Sequence, residues 1–249
     1  MKIKKEIKHK YIVIDTRRET HDVLTLKIKG GNNSIPSYIP GQFITVYFPE
    51  TGTPEGKSYS ISSSPHEDTM NITIKTMGKF SNRLFNMKNG DEITASLPYG
   101  FFFSELDNTD MVIITGGIGI APFRSMIYDN LLKNPLKNIT LYYSNRFVDD
   151  IIFKKEFDDL EKKHSSFNVK YFITRQIDTL SDKLPKNMTL ERIKIENIIK
   201  NTKDNNTKKS KEKEFFICGS ISFVRDMWRG LRESGIPEEF IYTEAFFSH

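Results

Sequence analysis

The chain has 249 residues, 37% of them hydrophobic and 28% charged, with 14 Gly and 10 Pro, a composition that excludes collagen-like and wholly disordered chains and suits two domains of roughly 100 to 150 residues. A formal net charge of +5 raises the question of nucleic acid, yet much of the excess sits in residues 1–10 and in a Lys-rich tract at 200–214 with no aromatic before Phe215, whereas nucleic-acid surfaces interleave aromatic and basic side chains. The single cysteine, Cys218, excludes an intrachain disulfide, a four-cysteine zinc site and an iron-sulfur cluster, so any redox chemistry requires a bound organic cofactor.

In chain order, short alternating or β-branched runs at 11–15, 23–28, 43–48, 71–76 and 92–97 are separated by Gly, Pro and Asn clusters, which predicts a small antiparallel barrel or sandwich. One short helix is predicted at 80–87, where Phe80, Leu84 and Met87 share a face. Beyond residue 107 the texture changes. Apolar strands at 111–115, 139–143, 169–174 and 215–218 alternate with amphipathic stretches at 121–133, 152–164, 190–200 and 223–234, the pattern of βαβ units and a parallel sheet; Gly235 and Pro237 close the last helix. The expected domains are 1–105 and 106–249, with the Lys-rich tract an insertion read as a solvated loop. The longest apolar stretch, 111–123, holds three glycines and is shorter than the roughly 18 residues a membrane span needs. The N-terminus has no apolar signal segment, so a cytoplasmic location without membrane insertion is expected.

The strongest local signal is a strand ending at Thr115 that runs into Gly116, Gly117, Ile118, Gly119, Ile120, Ala121 and Pro122 before a helix. Glycines at such a turn let the backbone approach a pyrophosphate at a helix N-terminus, and Pro122 suits the first helical turn. The spacing departs from the usual dinucleotide fingerprint, so a plain tight turn stays open beside nucleotide binding. After the next strand, where an acidic residue would bind ribose hydroxyls, stand Ser144, Asn145 and Arg146. Arg146, and Arg175 after the third strand, suit a 2′-phosphate and lean towards NADPH; both also suit an ordinary surface. In the first domain, Lys57, Ser58, Tyr59 and Ser60 make a plausible flavin grip: a cation for the pyrophosphate, an aromatic ring for stacking, a small hydroxyl near N5. An ordinary strand is the alternative. Ile74, Lys75 and Thr76 lead into Gly78, Lys79, Phe80 and Ser81, a helix start offering backbone N–H groups to the same pyrophosphate.

Pro40, Gly41, Gln42 and Phe43, the Lys57–Ser60 run, Gly78 to Ser81, Gly117 to Pro122, Asp150 to Phe153, Cys218, Gly219 and Ser220, and the terminal Glu244 to Phe246 occur in the order seen in the ferredoxin-NADP reductase superfamily. The chain resembles its NAD(P)H-dependent oxygenase reductases and cytochrome b5 reductase-like members along nearly its whole length. The resemblance implies an FAD-binding Greek-key barrel followed by an NAD(P)-binding α/β domain, and an enzyme passing electrons from NADH or NADPH through FAD to a separate acceptor protein or a small acceptor, as a monomer. It implies that Lys57, Tyr59 and Ser60 and the Gly78 to Ser81 turn hold FAD, and that Gly117 to Pro122 hold the dinucleotide. It also puts Cys218 and Gly219 beside the nicotinamide, and Glu244, Phe246 and Phe247 near the flavin edge, with Ser60, Cys218 and Glu244 as catalytic candidates. The family usually has Arg where this chain has Lys57, a point charge in place of a bidentate fork.

Other residues read as structural. The five histidines show no pair at metal-ligand spacing, and Trp228 lies in an amphipathic helix. Phe101, Phe102 and Phe103 read as barrel core or interface packing, in a stretch the family places close to the adenine of FAD. A flavin-binding regulatory or interaction protein without turnover is the rival function.

Overall fold

A computed structural model describes residues 8–104, 106, 109–176, 184–202 and 213–246. They divide into two compact units. One runs up to Phe103 and takes in Ala121–Asp129; the other comprises Ser104–Ile120 and the residues from Asn130 onward.

The first unit is an antiparallel barrel. Its strands are β1 (His9–Arg18), β2 (Val23–Gly30), β3 (Phe43–Phe48), β4 (Thr53–Ser60), β5 (Met70–Lys75) and β6 (Glu92–Ala95). They lie in the order β4-β3-β6-β1-β2-β5, and an isolated bridge from Ile61, just after β4, to Ile72 of β5 brings the two ends of the sheet together. Alternation buries Tyr11, Val13, Ile44, Val46, Ile72 and Ile74 inside, and α1 (Lys79–Phe85) adds Phe80 and Leu84. Simple alternation does not mark a strand at 53–60, because Pro54 and Gly56 interrupt it. The chain accommodates them with Gly56 at φ +80° beside a register shift opposite Val46 to Phe48.

The stretch after β4 is buried although polar, because each hydroxyl has a partner. Ser62 Oγ lies 2.9 Å from Thr73 Oγ1, and Ser63 Oγ accepts the Asn71 N–H at 2.9 Å and lies 2.8 Å from the Tyr38 hydroxyl. Arg124, only 7% exposed, closes this layer by donating to the Ser62 carbonyl at 2.9 Å and to Glu67 at 2.8 Å. Phe101 corrects the expectation of a packed phenylalanine triplet. A tight turn in which the Phe103 N–H donates to the Phe101 carbonyl sends Phe101 outward, 91% exposed, while Phe102 is buried edge-on to Phe123.

The second unit is a parallel sheet of β7 (Asp110–Gly116), β8 (Ile139–Asn145), β9 (Phe167–Ile173), β10 (Met188–Thr189), β11 (Lys213–Ser220) and β12 (Ile241–Phe246), in the order β10-β9-β8-β7-β11-β12. Helices α3 (Lys154–Lys163), α4 (Ile195–Thr202) and α5 (Ile221–Glu233) alternate with its strands, while α2 (Ala121–Lys133), which follows β7 in the chain, belongs to the first unit through Asp129. One core joins Val112, Ile114, Phe215 and Ile217 to Val224 and Leu231 of α5, with Trp228 packed against it.

Three helix starts differ from the periodicity by two residues or more, each for a local reason. The helix expected from 152 starts at Lys154 because Phe153 holds φ +60°; the one expected from 190 starts at Ile195, after β10 has paired with β9. The helix expected from 223 starts at Ile221 under a Ser220 cap. The terminal strand β12 has no counterpart among the strands expected from the sequence. Most of the Lys-rich tract, 203–212, lies outside the described residues.

Arg124→Met should lower the unfolding temperature of the first transition by several degrees. Truncating one member of a buried ion pair costs about 3–5 kcal/mol, discounted here to about 2–3 kcal/mol because Glu67 is partly solvated. An unchanged calorimetric midpoint contradicts a structural role for this pair.

Candidate functional site

In the barrel unit the candidate residues gather around Phe80. Strand pairing sets Ile44 opposite Tyr59 and Val46 opposite Lys57, so Lys57 and Tyr59 share one face while Ser58 and Ser60 take the other. Ser58 Oγ lies 3.2 Å from Thr45 Oγ1, and Ser60 is buried. The Lys57 amine lies 5.9 Å from the centroid of the Phe80 ring, and the half-buried Tyr59 ring is near-parallel to Phe80 at 6.4 Å and 22°. Burial raises the Tyr59 phenol above its ordinary pKa, so the hydroxyl stays protonated. Phe80 belongs to α1, and thus ties the β4 cation and ring to the turn that starts at Gly78.

That turn is organised by Ser81. Its Oγ accepts the N–H groups of Met77 (2.8 Å) and Gly78 (3.2 Å) and donates to the Gly78 carbonyl (3.1 Å). The Gly78 N–H is therefore already engaged, and the first N–H groups of α1, at Lys79 and Phe80, have no intrahelical partner. A Cβ built on Gly78 meets nothing within 4 Å, leaving room for a ligand. Ile74 is fully buried in the core, Lys75 is ion-paired with Asp22 at 2.9 Å, and the Thr76 N–H donates to the Asp22 carbonyl.

In the second unit the strand order reverses at β7: the chain proceeds outward through β8, β9 and β10, then returns to place β11 on the other side of β7. Open α/β sheets bind ligands at the carboxyl ends of the strands flanking such a switch. The residues there are Gly116 to Pro122 after β7 and Cys218, Gly219 and Ser220 at the end of β11. They are in contact: the Thr115 hydroxyl donates to the Cys218 carbonyl at 2.9 Å, and a Cβ on Gly119 would come within 2.5 Å of that carbonyl oxygen. Gly117 holds φ +54° with open space where a Cβ would point, Ile118 is half-buried, and Pro122 lies in the first turn of α2.

The neighbouring strand ends complete this edge. Asn145 is 5% exposed, yet neither atom of its side-chain amide has a hydrogen-bond partner among the described residues. A buried amide without partners is costly, and a dinucleotide at this edge is a group that fits it. The Arg175 N–H donates to the Arg146 carbonyl at 2.9 Å, so both arginines leave adjacent strand ends with exposed side chains. In β12, Glu244 stands opposite Cys218 and Phe246 opposite Ser220; Phe247 lies outside the described residues. Burial, then the Glu244 carboxylate, push the Cys218 thiol well above its ordinary pKa, which keeps it protonated and speaks against a covalent nucleophile. A separate concavity bounded by Glu161, Lys170, Lys186 and Asn187 lies beside β9 and β10. Sequence reasoning missed Tyr143, whose hydroxyl donates to the Gly117 carbonyl at 3.0 Å.

Comparison with known proteins agrees with both halves. Residues 10–103 match the family model of the oxidoreductase FAD-binding domain, and residues 113–228 that of the oxidoreductase NAD-binding domain. The chain thus carries an oxidoreductase FAD-binding domain followed by an oxidoreductase NAD-binding domain. It is 28% identical over 95% of its length to flavohemoprotein A of Dictyostelium discoideum, and 28% identical over 95% to the flavohemoprotein of Bacillus anthracis. It spans 59% and 60% of those two relatives. The fold is similar to the CS-b5R domains of human Ncb5or (TM-score 0.81, 22% identity, 96% of this chain and 70% of that one). It is also similar to a ferredoxin NADP+ reductase from Neisseria gonorrhoeae with bound FAD and NADP (TM-score 0.76, 23% identity, 96% and 99%). None of the described helices is long and apolar enough to cross a membrane.

Gly119→Ala should be worse for stability than Gly117→Ala, although only Gly117 is left-handed. The added methyl at 119 meets backbone that has to move, costing about 3 kcal/mol; at 117 it meets open space and costs only the backbone term, about 1 kcal/mol. Thermal midpoints in the reverse order contradict the close β7–β11 contact.

Proposed function

We propose that this chain takes reducing equivalents from NADH or NADPH onto FAD and passes them to an electron acceptor, with residues 1–105 as the FAD domain and 106–249 as the nucleotide domain. Bound FAD would supply the chemistry, accepting a hydride from the reduced nicotinamide and releasing electrons singly. The protein's part is to bind and orient. Lys57 offers a point charge to the FAD diphosphate, Tyr59 covers the flat ring system, and Ser58 and Ser60 keep that strand small beside it. Ile74, Lys75 and Thr76 carry the chain into Gly78, where Lys79, Phe80 and Ser81 present the helix start to the diphosphate.

In the second unit, Thr115, Gly117, Ile118 and Gly119, running on into Pro122, form the dinucleotide turn. Asn145 supplies an amide, Arg146 and Arg175 suit a 2′-phosphate, and Cys218, Gly219 and Ser220 border the nicotinamide. Ser60 is assigned to the reacting side of the FAD half-site, and Cys218 and Glu244, with the aromatics Phe246 and Phe247 expected from the sequence, to that of the nucleotide half-site. The observation that carries this reading is the switch between β7 and β11, which brings the glycine turn and Cys218 to one carboxyl edge of the sheet beside the Asn145 amide, partnerless among the described residues. The names of the relatives, two flavohemoproteins, favour a dedicated acceptor, protein-borne or small.

The test is spectroscopic. FAD-loaded protein should lose its yellow absorbance when NADH or NADPH is added without oxygen. Retained FAD that neither nucleotide bleaches contradicts turnover and indicates a flavin-binding regulatory protein. Tyr59→Ala should weaken FAD binding about threefold to tenfold, the equivalent of roughly 0.5–1.5 kcal/mol of lost stacking, while the chain stays folded; unchanged retention on desalting removes Tyr59 from the site. Lys57→Arg should tighten FAD, since a fork replaces a point charge, and equal or weaker affinity means that Lys57 points elsewhere. Arg146→Ala or Arg175→Ala should raise the KM for NADPH and spare that for NADH. Equal rises for both donors indicate uniform binding in place of 2′-phosphate recognition.

A further inference from the structure

We infer that Tyr143 is a positioning residue for the dinucleotide turn, a role that rests on the nucleotide-binding reading of that turn. Tyr143 is fully buried in β8, but its hydroxyl reaches the carboxyl end of the sheet and joins two loops there. It donates to the Gly117 carbonyl at 3.0 Å and accepts the Ile152 N–H at 3.3 Å.

The first bond orients a peptide. Gly117 is left-handed, with open space where a Cβ would point, and a glycine so placed has little steric preference among backbone conformations. Nothing in its own side chain decides where its carbonyl points; the Tyr143 hydroxyl does. Because a trans peptide is planar, with C=O and N–H on opposite sides, holding the Gly117 carbonyl against Tyr143 turns the Ile118 N–H away from Tyr143. That N–H begins a 3-10 turn, Gly117–Ile120, whose first donors have no partner within the turn. The hydroxyl thereby presents a donor in one orientation before any ligand arrives, and preorganisation of this kind raises affinity by removing the ordering cost from the binding step.

The second bond explains a motif that the chemistry leaves unused. In the stretch Asp150 to Phe153, Asp150 Oδ2 accepts the Phe147 N–H at 3.3 Å and Phe153 holds φ +60°. This bend directs the Ile152 N–H onto the Tyr143 oxygen. The motif acts on the dinucleotide turn at second hand, by supplying the donor that holds the phenol in place while it donates to Gly117.

Tyr143→Phe removes one oxygen and keeps the ring. Titration calorimetry with ADP-ribose, which carries the diphosphate without the nicotinamide, should give a dissociation constant about tenfold weaker than wild type. The KM for the reduced nucleotide should rise in proportion, with kcat and FAD retention close to wild type; a merely structural residue would lower kcat and FAD retention together with the thermal midpoint. ADP-ribose binding within twofold of wild type overturns the role. If the variant does not fold, the wild-type chain still decides: ADP-ribose should slow amide exchange at Ile152 as well as at Ile118, and unchanged exchange at Ile152 overturns the tie. Failure of wild-type protein to bind ADP-ribose at all removes the nucleotide reading and Tyr143's role with it, an outcome distinct from normal binding in both proteins.

Discussion

The carboxyl edge of the parallel sheet depends on one close approach, that of Gly119 to the Cys218 carbonyl. Only a residue without Cβ lets the turn after β7 settle onto the end of β11, where the Thr115 hydroxyl then reaches the same carbonyl. The order of strands makes this contact possible, because β11 returns to the free side of β7 after three strands have been laid on the other. From it follow the positions of Gly117 and Ile118 on one side and of Gly219 and Ser220 on the other. Tyr143 and the Asp150 bend then hold the turn from beneath.

The barrel solves a comparable problem with an aromatic ring. Phe80 sits at the start of α1, packs into the barrel core, and faces both Lys57 and Tyr59 of β4. A cation, a ring and a helix start from segments about 20 residues apart are therefore held by a single side chain. Ser81 stabilises the same turn by taking up the Met77 and Gly78 N–H groups, which leaves the donors further into the helix for a ligand.

Much of this is legible in the chain itself, and the reasons for the remainder are specific. The run into Gly116 and the helix at 121–133 are readable because apolar periodicity and glycine placement are local signals. Strand β4 is obscured by Pro54 and Gly56, which a bulge absorbs; the true starts of α3 and α4 depend on Phe153's left-handed backbone and on β10 pairing. Phe101 and Phe102 look alike in sequence, and only a tight turn separates them. The candidate segments at Lys57–Ser60 and Gly117–Pro122 can be marked in advance, whereas the Tyr143 bond to Gly117 spans 26 residues and leaves no pattern in spacing. The Asn145 amide can be singled out by position, but its lack of partners is a property of the packed state.

The most direct measurement is a crystal structure of the protein grown with FAD and NAD+. The NAD+ diphosphate is expected against the Ile118 and Gly119 backbone at the β7–β11 junction, with the Asn145 amide bonded to the nucleotide and the flavin ring against Tyr59. NAD+ in the concavity beside β9 and β10, or a flavin that leaves Tyr59 untouched, would contradict the assignment of both half-sites to their cofactors.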